Sequence, residues 1–258
     1  ISDTQYYAQS YPHNFELMNN YIVDNKERMD IRYVIHSGDL IDDIDEMYQW
    51  EYADEYMKIL EDADLPYGVL AGNHDIANHN ARYEHYQTYF GADRFEGNGV
   101  FGGSYLNNLG HYDLVTASGQ DLIFVYMSYD FDYQATEWIN EVLAEHSDRL
   151  AVLVLHNYVK KDGELDTAGQ YFQEEVVANN PNVKLVLGGH YHGSAINVAG
   201  FDDDGDGVEE RTVYQMVSDY QAGEEGGNGY FKTLYFDLAN GKIYMNAYSP
   251  KLNDFNFF

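Results

Sequence analysis

Not one cysteine occurs in these 258 residues, which removes disulfide scaffolds, thiolate metal sites and cysteine nucleophiles together. Any metal held by this chain must be held by oxygen and imidazole. No apolar run approaches the ~18 residues that a membrane-spanning helix needs. No secretory signal opens the sequence, and neither an internal repeat nor a linker-like stretch interrupts it. Positive charge is scarce: 14 Lys and Arg stand against 44 Asp and Glu, a formal net charge of -30. Such a surface repels nucleic-acid phosphates and anionic headgroups, so non-specific binding to either is disfavoured, and a phosphate-bearing substrate needs a local cationic site.

What is present is the hydrophobic content of an ordinary globular protein, 45%. This length admits one large α/β domain or two small ones, and one domain over 1–258 is the expectation. The first residues read as the end of a strand rather than its start, so the chain is expected to be excised from a longer protein with further domains. Acidic surfaces collect divalent cations, and a secreted or cell-surface bacterial protein in a cation-rich medium is the simplest setting. The plain alternative is a well-solvated exterior that carries no message.

The stretch Val69-Leu70-Ala71-Gly72-Asn73-His74-Asp75 organises the rest. An apolar run feeds a glycine turn bearing an amide, an imidazole and a carboxylate, as when a buried strand delivers polar groups to its C-terminal edge. Open α/β sheets place their chemistry at that edge. The same grammar recurs at Ile1-Ser2-Asp3-Thr4-Gln5, Tyr33 to Asp39, Leu153 to Asn157, and Leu185 to His192. Five strand ends therefore converge on one place.

Helices are expected over Asn14 to Arg28, with Asn14 as N-cap, over Met47 to Asp62 with Tyr52, Tyr56, Ile59 and Leu60 on its apolar side, and over Ala81 to Phe90, Ala135 to Glu145 and Ala168 to Asn179. Strands are expected at Tyr33 to His36, Tyr67 to Ala71, Tyr112 to Thr116, Leu122 to Met127, Leu150 to His156 and Val183 to Gly188. An antiparallel last quarter follows at Ser194 to Val198, Val213 to Val217, Phe231 to Leu238 and Lys242 to Tyr248, turning at Asn240-Gly241. Gly91 to Gly103 reads as a glycine-rich loop bordering the site. The order gives an α/β fold of two mixed β-sheets packed face to face with flanking helices.

Asp3, Gln5, Asp39, Asn73, His74, His156, His190 and His192 are the polar residues at those ends. Carboxylate, amide and imidazole without thiolate suit Mn, Fe or Zn, and a carboxylate such as Asp39 can bridge two cations. The ordered blocks Asp3-Thr4-Gln5, Gly38-Asp39, Gly72-Asn73-His74-Asp75, His156 and Gly189-His190-Tyr191-His192 resemble the calcineurin-like metallophosphoesterase superfamily, from Asp3 to about Tyr248. The resemblance implies a four-layer sandwich and a dinuclear metal-dependent hydrolase of phosphate esters, phosphodiester or phosphomonoester. One metal would take Asp3, Gln5, Asp39 and His192, and the other Asp39, Asn73, His156 and His190. A hydroxide between two cations would attack phosphorus, with His74 as general acid oriented by Asp75 or Asp42. Gln5 departs from the family's usual histidine, and its weaker, harder amide oxygen favours Mn2+ over Fe3+ there.

Tyr6, Tyr191 and Tyr220 adjoin motif residues and could wall a substrate pocket. His36 falls inside a strand and reads as structural; His13, His79, His85, His111 and His146 lack motif context and read as surface or loop residues. Asp202, Asp204, Asp206 and Gly207 match the opening of a calcium loop, but the twelfth position is Val213. A solvated acidic hairpin and a structural Ca2+ site are both open. The rival function is a non-catalytic, metal-stabilised binding module of a larger surface protein, which predicts loss of the acid or of several ligands.

Overall fold

A computed structural model describes residues 1–237 and 240–255, apart from the side chain of His79. The chain opens with three helices, α1 (Gln5–Ser10), α2 (Pro12–Asp24) and α3 (Lys26–Met29), and enters β1 (Val34–His36). Helix α4 (Met47–Asp62), β2 (Tyr67–Val69) and α5 (Glu84–Phe90) follow. Then come β3 (Phe101–Tyr105), β4 (Gly110–Ala117), β5 (Gln120–Met127), α6 (Tyr133–Glu145), β6 (Leu150–Leu155), α7 (Thr167–Phe172) and β7 (Val183–Gly188). The chain closes through β8 (Gly193–Phe201), β9 (Arg211–Asp219), β10 (Phe231–Asp237) and β11 (Lys242–Tyr248).

Seven strands form one mixed sheet in the order β3-β4-β5-β6-β7-β9-β8. The run β5-β6-β7-β9 is parallel, with antiparallel strands at both edges. Strand β6, Leu-Ala-Val-Leu-Val-Leu, lies near the middle and is apolar on both faces because both are covered. Its Ala151, Leu153 and Leu155 point one way, with Ile123, Val125 and Met127 of β5, onto Ala135, Ile139 and Leu143 of α6 and Phe172 of α7. Val152 and Val154 point the other way, with Leu122, Phe124 and Tyr126, toward Leu70, Ile35 and the hairpin residues Leu234, Phe236, Ile243 and Met245. The second β layer is thus the parallel pair β1-β2 and the antiparallel pair β10-β11. Its outer side meets α2, α4 and α5 through Phe15, Met18, Trp50, Met57, Leu60 and Phe90. Four layers result: helix, sheet, sheet, helix.

Several local expectations change. Helix α2 begins at Pro12, whose fixed φ suits the first turn, so Asn14 sits inside the helix and donates to the Glu225 carbonyl at 3.1 Å instead of capping. The buried face of α4 carries Trp50, Ala53, Met57 and Leu60; Tyr52 and Tyr56 stack on each other at 5.8 Å along its half-buried flank. The helix ending at Phe90 starts at Glu84, and α7 continues as a π-helical turn over Gln173–Val177. The region Gly91 to Gly103 contains the start of edge strand β3, and its Phe95 packs 5.3 Å from Tyr67, at the end of β2 away from Asn73. Leu238, the expected end of β10, lies outside the described residues. No helix among the described residues is long and apolar enough to cross a membrane.

Candidate metal centre

The parallel strands end together, and the chain turns sharply at each end. Asp3, Asp39 and His190 all adopt left-handed backbone angles, with φ of +53°, +54° and +68°. Non-glycine residues rarely take that conformation, and it concentrates where a side chain must be aimed. The backbone then locks these turns to one another. Asp3 N–H donates to the Gly38 carbonyl at 3.0 Å, His190 N–H donates to Asp3 Oδ1 at 3.0 Å, and His74 N–H donates to Asp39 Oδ1 at 3.0 Å. Glycine is required where chains pass: a Cβ on Gly72 would lie 2.1 Å from Asp39 Oδ1, and one on Gly189 would lie 2.1 Å from Asp3 Oδ2.

Asp39, His156 and His190 offer ligand atoms all within 4.8 Å of one another. His156 Nε2 is 2.9 Å from Asn73 Oδ1 and 3.4 Å from Asp39 Oδ2, and its Nδ1 faces the Ser37 carbonyl at 2.9 Å. That carbonyl fixes the ring so that Nε2 looks into the cluster. Gln5 Nε2 donates to Asp39 Oδ2 at 3.1 Å, which brings Gln5 to the same carboxylate. Burial works against charge on His156, but Asp39 and Asp3 override it and push the imidazole up to about 10. His190 is depressed to about 4 by burial and by His156. Asp39 is buried too, yet His156 holds its carboxyl below the usual range.

Asp3, Asp39 and Asp219 are buried carboxylates, and among the described residues His156 is the one cationic side chain ion-paired to any of them. Gln5 Oε1 is buried with no hydrogen-bond partner. Isolated buried carboxylates are costly, and a donor set of carboxylate, amide oxygen and imidazole suits divalent cations. The residues fit a metal. His192 is exposed and stands outside the Asp39–His156–His190 group, at its rim.

His74 is half-buried, with Nδ1 2.8 Å from the Asp42 carbonyl and 3.4 Å from the Asp42 carboxylate. Asp42, then, is the residue that faces it. Asp75 instead staples the two turns, its Oδ1 accepting from Leu40 and Ile41 N–H at 2.9 and 3.1 Å and its Oδ2 from Gly72 N–H at 2.8 Å. His36 is buried between Thr4 Oγ1 at 3.0 Å and Gly38 N–H at 3.2 Å, a structural arrangement. Tyr191 packs edge-on to His190 with centroids 4.6 Å apart and donates to Asp166 Oδ2 at 2.7 Å. Tyr6 is half-buried and Tyr220 is buried, 5.9 Å from Tyr230.

Two neighbours escaped the sequence reading. Tyr129 lies 5.9 Å from His156 and 6.0 Å from His190. Asp219 ends β9, where Val213 to Val217 is followed by Ser218-Asp219, the same apolar-then-polar grammar as at the other ends. His111, expected at the surface, is instead fully buried in β4 against Tyr126, because β4 starts at Gly110 rather than Tyr112. His13 is exposed, and His85 and His146 are half-buried; the side chain of His79 lies outside the described residues. In the loop between β8 and β9, Asp202, Asp204, Asp206 and Glu210 bring carboxylate oxygens within 4.8 Å of one another, all exposed. Glu210, not position 213, completes that group, since Val213 is buried in β9.

Residues 1–194 match the family described as calcineurin-like phosphoesterase. The whole chain is 45% identical to the uncharacterized protein YvnB of Bacillus subtilis (strain 168), of which it spans 20% of the length. Two solved structures are similar at low identity. GAP50, the anchor in the inner membrane complex of Plasmodium, is 14% identical at a TM-score of 0.55, covering 95% of this chain and 82% of that one. TT1561 of Thermus thermophilus is 12% identical at a TM-score of 0.55, covering 95% of both chains. These two likenesses are of fold.

Proposed function

The chain belongs to the calcineurin-like phosphoesterase family, and from that premise we propose that it hydrolyses phosphate esters with a pair of metal ions and His74 as the general acid. The observation that carries this reading is the convergence of Asp39, His156 and His190 on one point among buried, cation-poor carboxylates. In it, Asp3, Gln5, Asp39 and the rim residue His192 hold one ion, and Asp39, Asn73, His156 and His190 hold the other. Bound cations supply Lewis acidity to the phosphoryl oxygens and acidify the attacking water.

The protein's own groups do the rest. Burial disfavours charge on His74, but Asp39 and Asp42 outweigh it and raise its pKa, which favours the protonated ring that a general acid needs. With Nδ1 turned to Asp42, Nε2 is left to deliver that proton to the departing oxygen. The Asp75 staple keeps the His74 and Asp39 turns at fixed spacing. Tyr129 and Tyr191 flank His190 and narrow the approach for the ester's organic part.

The test loads metal-stripped protein with manganese or zinc and compares bis(4-nitrophenyl) phosphate with 4-nitrophenyl phosphate, for wild type and His74→Ala. The variant should keep its metal and lose kcat by ~10²–10⁴-fold. Equal turnover in both proteins would remove the acid from the scheme. Full metal uptake without hydrolysis of either ester would favour a non-catalytic binding module.

A further inference from the structure

Resting on the metal-dependent reading above, we propose that Asp219 sets the cation preference of the Asp3 half of the centre. It acts as a third buried carboxylate which, with Gln5, makes that half an oxygen-rich seat for a hard divalent ion of the Mn2+ or Mg2+ class. The register of the sheet puts it there. Asp219 pairs with Gly193, the residue after His192, and Val217 pairs with Gly188 beside the Gly189-His190 turn. It is buried, with 1% of its surface exposed. Gly189, which follows the Gly188 paired with Val217, lies directly against the Asp3 carboxylate: a Cβ added there would come 2.1 Å from Asp3 Oδ2.

Gln221 fixes the orientation of this carboxylate: its N–H donates to Asp219 Oδ1 at 2.9 Å and its Nε2 to Oδ2 at 3.2 Å. No Lys or Arg side chain is ion-paired to Asp219 among the described residues. Two amide oxygens at this end, Gln221 Oε1 and Gln5 Oε1, are buried and unpartnered. The two halves of the centre therefore differ in donor chemistry. Asp39, His156, His190 and Asn73 offer two imidazoles, which suit zinc, iron or manganese, whereas Asp3, Asp39 and Gln5 backed by Asp219 offer oxygen, and the one imidazole of that half, His192, is exposed at the rim. Oxygen donors and added negative charge favour hard ions over zinc. Asp219 is a positioning residue in this scheme, acting through Asp3 and His192.

Titration calorimetry on metal-stripped protein, with manganese alone and zinc alone, reads the number of ions bound and each Kd; a circular-dichroism melt without metal checks the fold. The Asp219→Asn variant keeps the shape and loses the charge. It should bind one of its two manganese ions 10–100-fold more weakly, the usual effect of removing a residue behind a ligand, with the tighter zinc event unchanged. An unaltered manganese profile in a folded Asp219→Asn protein overturns the inference while leaving the metal reading intact. Should that variant not fold, Gln5→His replaces it: the added imidazole should move the oxygen-rich half toward zinc, and an unchanged manganese-to-zinc preference counts against the proposal. Wild type that binds neither metal sinks the parent reading and this one with it.

Discussion

His156 lies 3.4 Å from Asp39 at the strand ends, and His111 lies 3.7 Å from Asp113 within β4; all four side chains are buried. Their protonation is opposite. His156 is driven up to about 10 and Asp39 down, while His111 is driven down to about 3 and Asp113 up to about 7. Burial opposes charge in both places, so burial does not explain the contrast. At the strand ends, Asp39 receives the His74 and Gln5 N–H groups, and His156 faces the Ser37 carbonyl and a second acid, Asp3. Around His111 there are rings: Tyr126 stacks on it at 4.2 Å and Phe95 at 5.9 Å, and neither ring nitrogen has a hydrogen-bond partner. Asp113 accepts from the Tyr33 hydroxyl. Desolvation wins where polar partners are few and loses where strand ends supply them. A buried histidine–aspartate pair is therefore no mark of a reactive site; the polar groups around it decide.

The largest test of this contrast removes the shared carboxylate from each pair. Asp39→Asn should abolish tight metal uptake and lower kcat/KM by on the order of 10³-fold or more, since the proposed bridge between two ions is gone. Asp113→Asn should leave metal content and turnover within about twofold, because altered sites far from the reacting groups seldom shift transition-state binding. Metal analysis with steady-state kinetics on both variants reads this, and similar losses in the two would erase the distinction drawn here.

Much of that distinction could be read before the fold was known. Each polar residue at a strand end follows an apolar run, and five such ends in fixed order carry a pattern that no single His or Asp carries. Asp219 obeys the same rule but stands alone at the end of its strand, without a neighbouring glycine or histidine to flag it. His111 could not be recognised because β4 begins two residues before its apolar core, and alternation alone cannot say that a polar side chain points inward. The tyrosines of α4 lie off its buried face for a related reason: an aromatic ring can stack along a half-buried flank while smaller Ala53 and Met57 take the interior. Face assignment depends on partners that only the fold supplies.

A second test uses pH. His111 has a folded pKa of about 3 against an ordinary 6.5, so folding sheds its proton and stability rises with pH from about 3 to 6.5. Asp113 has a folded pKa of about 7 against an ordinary 3.8, so the folded state holds a proton that the unfolded chain has released, and stability falls from about pH 4 to 7. Asp113→Asn deletes only the falling limb. Between pH 4 and 8 the variant should gain on wild type by on the order of 4 kcal/mol, read from urea midpoints at each pH. A constant difference across that range would mean that Asp113 is solvated in the folded protein.

Smaller still is the effect expected from His111→Phe. A ring of similar shape joins Phe95, Phe101 and Tyr126 and removes two unpartnered buried nitrogens, so stability should stay within about 1 kcal/mol of wild type or rise. The matching change at the strand ends, His156→Phe, should cost metal binding. A destabilised but fully metal-loaded pair of variants would reverse the roles assigned to the two clusters.

The smallest effect separates carboxylate density from carboxylate environment. Asp202, Asp204, Asp206 and Glu210 gather as closely as the residues of the buried centre, yet all four are exposed. Their negative charges are already stabilised by water, and the loop's own N–H groups bond to Asp202, at 2.7 Å from Gly205 and 2.7 Å from Gly207. A cation arriving there displaces good solvation, whereas one arriving beside Asp39 relieves a desolvated charge. Millimolar calcium should thus raise the melting temperature by less than about 2 °C, equivalent to at most about 1 kcal/mol for a chain of this size, and Asp204→Asn should not change it. A calcium shift as large as that produced by manganese, abolished by Asp204→Asn, would show that this hairpin is a binding loop and that crowding of carboxylates is enough without burial.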